Sequence, residues 1–185
     1  MTEEDLQAIE IMTRAYKESK GETVDLVVLH ELRGITVERL NWFFPNAGKY
    51  YKLWHPRDHI SWTWEIPPTP EKRGGAIHIS SQRFGKSPVH KLRMRIEDPQ
   101  NSPFGTNDGW STFLSDNNEP VACATHNWKS KSYGSLMQST FRFPAMIPQW
   151  FIDAVRQHNK EEMSELCNFL PNLYKRNLKT TGISA

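Results

Sequence analysis

Cysteine is scarce in this 185-residue chain. Cys123 and Cys167 are its two thiols, and they stand alone with no CxxC spacing. Isolated thiols of this kind suit a reducing cytoplasm and a space-filling role. Long apolar runs are also missing. No stretch approaches the roughly 20 residues of a membrane span, so no membrane partner is expected. The start, Met1-Thr2-Glu3-Glu4-Asp5, is acidic and leads into no apolar segment, which argues against a signal peptide. A surplus of one charge is absent too. The formal net charge is +2 with the basic residues scattered, which disfavours a nucleic-acid surface. There is no internal repeat and no low-complexity segment. The length fits one domain large enough for a core or a cavity.

Aromatic residues are plentiful instead. Seven tryptophans are spread along the chain as Trp42, Trp54, Trp62, Trp64, Trp110, Trp128 and Trp150. They read either as a tryptophan-rich core or as the lining of a sizeable apolar pocket.

Residues 3–19 have a helical pattern with Leu6, Ile9, Met12 and Tyr16 on one side, ended by Gly21. That exposed-looking apolar side is a candidate for pairing with a second copy. Residues 23–32 (TVDLVVLHEL) read as a strand. Thr36 opens a short helix with Leu40, Phe43 and Phe44 inward, broken at Pro45-Asn46, and residues 47–53 form a second short piece. Six strands follow at 60–66, 75–84, 90–96, 109–114, 121–128 and 135–143, each bounded by turn residues. One long helix then spans 148–170, with Pro148 at its start and Pro171 as its stop. The segment after Tyr174 reads as a loose tail. The division expected is an N-terminal helix (1–22), a main domain (23–175) and a flexible tail (176–185).

Two polar groups interrupt this pattern. On the long helix, Phe151, Ile152, Val155, Met163, Leu166, Phe169 and Leu170 share a face at 100° per residue. His158 and Glu162 lie four apart at its edge, one turn over the other. They suit either a His–Glu hydrogen bond at the margin of a core or two donors to one divalent ion. Upstream, residues 50–59 (YYKLWHPRDH) hold His55 and His59 with Asp58 between them. This is either a capped turn or a ligand with a carboxylate that orients it. His59, His158 and Glu162 together make a three-ligand set that leaves a coordination position open, the pattern of a catalytic zinc.

The order of strand, two short helices, six strands and a long helix suggests an antiparallel sheet wrapped around the last helix, with a cavity between. This α+β arrangement resembles the helix-grip fold of the Bet v 1-like superfamily. At a finer level, YKLWHPRDHISW, THNW at residues 125–128, and residues 141–174 resemble the 2,4-diacetylphloroglucinol hydrolase family, of which phloretin hydrolase is a relative. The similarity covers roughly residues 24–174. It implies a zinc-dependent hydrolase that cleaves the carbon–carbon bond between an acyl group and a phenolic or polyketide-like ring. Another divalent metal is permitted by the mixed nitrogen and oxygen donors.

By that resemblance His59, His158 and Glu162 are metal ligands. Tyr51 contacts a substrate oxygen, and His126 touches the substrate and serves as general acid. Apart from the resemblance, the aromatic side chains Trp62, Trp64 and Phe141 are candidates for flat walls against an aromatic ring. One departure matters. Where the family carries a further glutamate ligand, Gln82 is the best match here. His78 on the same strand face is a possible nitrogen substitute, and His55 is an alternative to His59. If that change has cost the chain its metal, a metal-free binding protein or catalyst for a hydrophobic aromatic ligand is the rival expectation.

Overall fold

The computed structural model describes residues 6–105 and 109–181, the side chains of 180 and 181 excepted. The acidic first five residues and the last four lie outside it. Helix α1 (Ala8–Ser19) is followed by strand β1 (Thr23–Arg33), helix α2 (Val37–Asn46), a 3-10 turn (Ala47–Tyr50) and helix α3 (Tyr51–Trp54). Strands β2 (His59–Ile66), β3 (Ile77–Gln82), β4 (His90–Glu97), β5 (Trp110–Leu114), β6 (Pro120–Lys131) and β7 (Gly134–Pro144) come next. Helix α4 (Gln149–Thr181) closes the chain. The seven strands form one antiparallel sheet in the order β1-β7-β6-β5-β4-β3-β2. Strands β2 to β7 are a meander, and β1 returns to pair with β7.

Alternation sets which face is inside. On β1, Leu26, Val28, His30 and Leu32 are buried while Val27 and Leu29 point outward. On β7, Met137, Ser139, Phe141 and Phe143 are buried. Helix α4 lies against β1 and against α2 and α3. Two apolar clusters result. One joins α1 to Phe143, Phe151, Ile152 and Val155. The other joins α2 and α3 to Met163, Leu166 and Leu170. Each such side chain, fully buried, contributes about 1.5–3 kcal/mol. His158 and Glu162 occupy the turns of α4 between the two clusters.

Two helix boundaries differ from expectation, the start of α1 and the end of α4. Helix α1 begins at Ala8, because the Ala8 N–H donates to His90 Nδ1 at 3.1 Å and the Gln7 N–H to Glu10 at 2.7 Å. Ala8, Ile11, Met12 and Ala15 are buried on the side that faces the chain's own β4, β6 and β7, while Tyr16 of the expected stripe is exposed. Helix α4 passes through Pro171 instead of stopping there, and residues 176–181 are helical. Pro171 removes one intrahelical donor. The turns beyond it are held from outside: Tyr174 packs edge-on against Trp42 at 5.4 Å and its hydroxyl donates to Glu38 at 2.6 Å.

Candidate metal centre and cavity

The three side chains singled out by sequence come together. His59 Nε2 lies 3.2 Å from His158 Nε2 and 3.4 Å from Glu162 Oε2, and His158 Nε2 lies 3.9 Å from that same oxygen. All three residues are buried. Nitrogen and oxygen donors about 2.0–2.1 Å from one tetrahedral ion would stand roughly 3.3 Å apart. The two spacings from His59 fit that requirement, and the His158–Glu162 spacing is about 0.6 Å wider.

The protonation pattern fits as well. His59 donates its Nδ1–H to the Tyr51 carbonyl at 2.9 Å, which leaves Nε2 with its lone pair directed at the cluster. The Tyr51 ring also stacks flat on His59 at 3.9 Å and 6°. His158 turns Nδ1 toward Asp58, 3.6 Å away, which is too long for a hydrogen bond. Nε2 of His158 faces inward, 3.2 Å from His59 Nε2. Two ring nitrogens and a carboxylate oxygen thus converge on one point, a donor set that a divalent cation can use. Burial lowers the His158 pKa to about 4, so near pH 7 its ring is neutral and able to ligate. Burial alone would raise the Glu162 carboxyl, but His59 and His158 beside it draw it down to about 2.

Asp58 was expected to orient a histidine of its own segment. It stands close to two rings, 3.7 Å from His55 of that segment and 3.6 Å from His158 across the molecule. Fully buried, it is gripped by Arg57 through bonds of 2.9 and 3.1 Å. That grip outweighs burial and keeps its carboxyl below the ordinary range. His55 is not in the His59 cluster. It stacks on His158 at 4.8 Å, and its Nε2 reaches Glu161 at 3.2 Å and Asp58 at 3.7 Å. His55, Asp58 and His158 form a second convergence on the far side of the His158 ring.

Gln82 sits directly opposite His59 in the β2–β3 register, and its Oε1 accepts the Tyr51 hydroxyl. His78, four residues away, is about 13 Å farther along the strand and cannot share an ion with His59. It stacks on Trp62 at 3.7 Å and 11° instead, and burial lowers its pKa to about 3. Glu97 pairs with Arg95 at 2.6 Å and is absent from both convergent groups.

A cavity of about 660 Å³ opens beside the cluster, with Glu162, Gln82, Tyr51 and His126 on its wall. That volume suits a drug-sized aromatic molecule. Five of the seven tryptophans line it, Trp54, Trp62, Trp64, Trp110 and Trp128, so the pocket reading of the tryptophans holds. Trp42 and Trp150 pack elsewhere. Trp62 needs Gly48, where a Cβ would lie 2.6 Å from the indole ring. Trp64 is part exposed, and Phe141 is buried at the inner end. A void of about 50 Å³ continues inward past Phe141 to His158 and Asn159.

His126 lies on the cavity wall, with Nδ1 2.9 Å from Ser139 Oγ. Burial lowers its pKa to about 4, so near neutral pH it is an uncharged imidazole and not an imidazolium acid. Tyr51 stays a phenol, since burial raises its pKa above the ordinary value. Cys123 is likewise held protonated, its pKa raised by burial to about 11. Among the described residues, no helix is long and apolar enough to cross a membrane.

Sequence reasoning missed three buried polar residues beside the site: His30, Ser139 and Asn159. A signal existed for His30. It occupies an inward position of β1 between Val28 and Leu32, where an apolar residue is the norm.

No protein-family model matches this chain, and no curated protein resembles it significantly. Solved structures do. Ara h 8.0201 superposes with a TM-score of 0.60 at 9% identity, over 82% of this chain and 99% of that one. Protein NE0264 from Nitrosomonas europaea superposes at 0.56 and 15% identity, over 83% and 97%. The di-domain ARO/CYC BexL from the BE-7585A biosynthetic pathway superposes at 0.57 and 11% identity, over 86% and 52%. Identities this low define the fold alone. The chain has the seven-stranded antiparallel sheet and long C-terminal helix of the Bet v 1-like fold.

Proposed function

We propose that this chain is a metal-dependent hydrolase that cleaves the bond between an acyl carbon and a phenolic or polyketide-like ring. The observation that carries the reading is the meeting of His59, His158 and Glu162 at the wall of a tryptophan-lined cavity. Zinc, or another divalent ion, held by these three residues would supply Lewis acidity toward the acyl carbonyl and bring the pKa of water near 7.

The chain's other residues have roles that follow from their surroundings. Tyr51, donating to Gln82, keeps hydroxyl lone pairs that can accept a hydrogen bond from a substrate phenol. Trp62 and Trp64 offer flat faces to the ring. The overall change adds water across the bond, hydroxyl to the acyl carbon and hydrogen to the ring. When the ring enters as its keto tautomer, its carbon already holds a hydrogen. The electron pair of the broken bond then moves onto the ring oxygen, which takes up water's proton. A neutral His126 N–H stabilises the charge growing on that oxygen without giving up its own proton.

Gln82 favours a second reading, because an amide offers weaker support to a cation than a carboxylate. In that reading the chain binds a hydrophobic aromatic ligand in the same cavity and hydrolyses nothing. Incubation with a panel of acylphloroglucinols separates the two. Release of the free acid and the deacylated ring, stopped by chelator and restored by zinc, supports the hydrolase. Saturable binding of these compounds without any product supports the container.

A further inference from the structure

Between Glu162 and His126 runs an unbroken chain of short polar contacts. Asn159 Nδ2 donates to Glu162 Oε1 at 2.8 Å. Asn159 Oδ1 lies 2.9 Å from His30 Nε2, and that nitrogen lies 3.2 Å from Ser139 Oγ. Ser139 Oγ lies 2.9 Å from His126 Nδ1. Four elements contribute: α4, β1, β7 and β6. The register explains the meeting, since Ser139 faces His126 on one side and pairs with Val28, two residues from His30, on the other. Asn159 and Ser139 are wholly buried and His30 nearly so. A polar network this deep is costly unless every member is satisfied.

Its direction is fixed from one end. A carboxylate can only accept, so Asn159 must turn its NH₂ to Glu162 and its carbonyl to His30. His30 must then carry its proton on Nε2 to donate to that carbonyl. With Nε2 protonated, it cannot accept from Ser139, and the buried serine hydroxyl has one other partner to donate to, His126 Nδ1. His126 Nδ1 is therefore bare, and the proton of the neutral ring sits on Nε2.

We infer that Asn159, His30 and Ser139 form a one-way hydrogen-bond relay by which Glu162 fixes the tautomer of His126 as the Nε2–H form. The relay makes His126 a hydrogen-bond donor and not a base toward whatever occupies the cavity. It selects ligands that present an acceptor oxygen there, a carbonyl or a phenolate. The three relay members are positioning residues. The inference deepens the hydrolase reading where it assigns His126 to a ring oxygen, but the tautomer itself needs neither metal nor substrate.

The test is long-range ¹⁵N–¹H correlation spectroscopy of the metal-free protein with ¹⁵N-labelled histidine. The expected result is a protonated Nε2 and a bare Nδ1 on both His30 and His126. Asn159→Ala and Ser139→Ala should each lose the single-tautomer pattern at His126 while the Tyr51-bonded pattern of His59 persists. A wild-type His126 carrying its proton on Nδ1 overturns the relay, whether or not the variants fold. So does a folded Asn159→Ala protein whose His126 signals are unchanged. A protein that binds no zinc but shows the expected tautomers sinks the hydrolase reading and leaves the relay standing; the reverse outcome sinks the relay alone.

Discussion

His59 and His158, 99 residues apart in sequence, point their Nε2 atoms at one another across 3.2 Å. Each turns its other nitrogen outward, to the Tyr51 carbonyl and to the Asp58 carboxylate. Imidazoles held this way bring two ring nitrogens to a common point, where Glu162 adds a negative charge. The consequences can be measured.

Asp58 should matter to the cluster without touching its centre. Asp58→Asn removes the charge behind His158 Nδ1. Loss of such an outer partner typically costs 10–100-fold in metal affinity. Chelator competition should show a weakening of about that size, with the fold intact because the abandoned Arg57 is largely exposed. Unchanged affinity would remove Asp58 from the account.

Gln82→Glu should act in opposite senses with and without metal. A second carboxylate beside Glu162 repels it in the metal-free protein and lowers the melting temperature. With a divalent ion present the added charge strengthens binding, so the shift in melting temperature on adding zinc should grow. A variant that responds to zinc no more than the parent would place Gln82 outside the ion's reach.

Acid should destabilise the metal-free protein well above the usual carboxylate range. His158 and His78 are neutral when folded, held to about 4 and about 3 by burial, against 6.5 when free. The unfolded chain thus binds protons first as pH falls. Stability is full above about 6.5 and drains as pH drops toward 4. For His158 alone the shift corresponds to something on the order of 3 kcal/mol. Glu162, held at about 2, works the same way lower down: its contribution is present above 4.5 and lost as pH falls toward 2. Urea midpoints at pH 7.5, 6 and 5 should decline in step. A flat series would contradict the burial of neutral histidines.

Much of this was legible in the sequence, for physical reasons. The strands announce themselves because period-2 patterns end at turn residues, and all seven appear within a few residues of where the pattern puts them. The His158–Glu162 pair is readable because helical spacing alone stacks the two. The passage of α4 through Pro171 is not readable, since the compensating contacts of Tyr174 with Trp42 and Glu38 are tertiary. The His30–Ser139–Asn159 relay escapes for a similar reason. Its members are single polar residues on three elements, and only strand register brings them within bonding distance. Asp58 could be recognised as a supporting carboxylate, but which histidine it supports depends on the packing of α4.

Gly48 should govern the shape of the cavity. A methyl group there would meet the Trp62 indole at 2.6 Å, so Gly48→Ala must push the ring from its stack on His78. The expected effect is a shifted tryptophan emission and roughly tenfold weaker binding of an aromatic ligand, about 1.4 kcal/mol. Unaltered emission and affinity would show that Trp62 is not a wall of the binding site.

The central claim is that His59, His158 and Glu162 hold a cation. Elemental analysis of protein purified without chelator, alongside His158→Ala, tests it most directly. Close to one divalent ion per chain is expected in the parent and almost none in the variant. A parent protein that carries no metal and gains no thermal stability from added zinc, manganese or iron would contradict it.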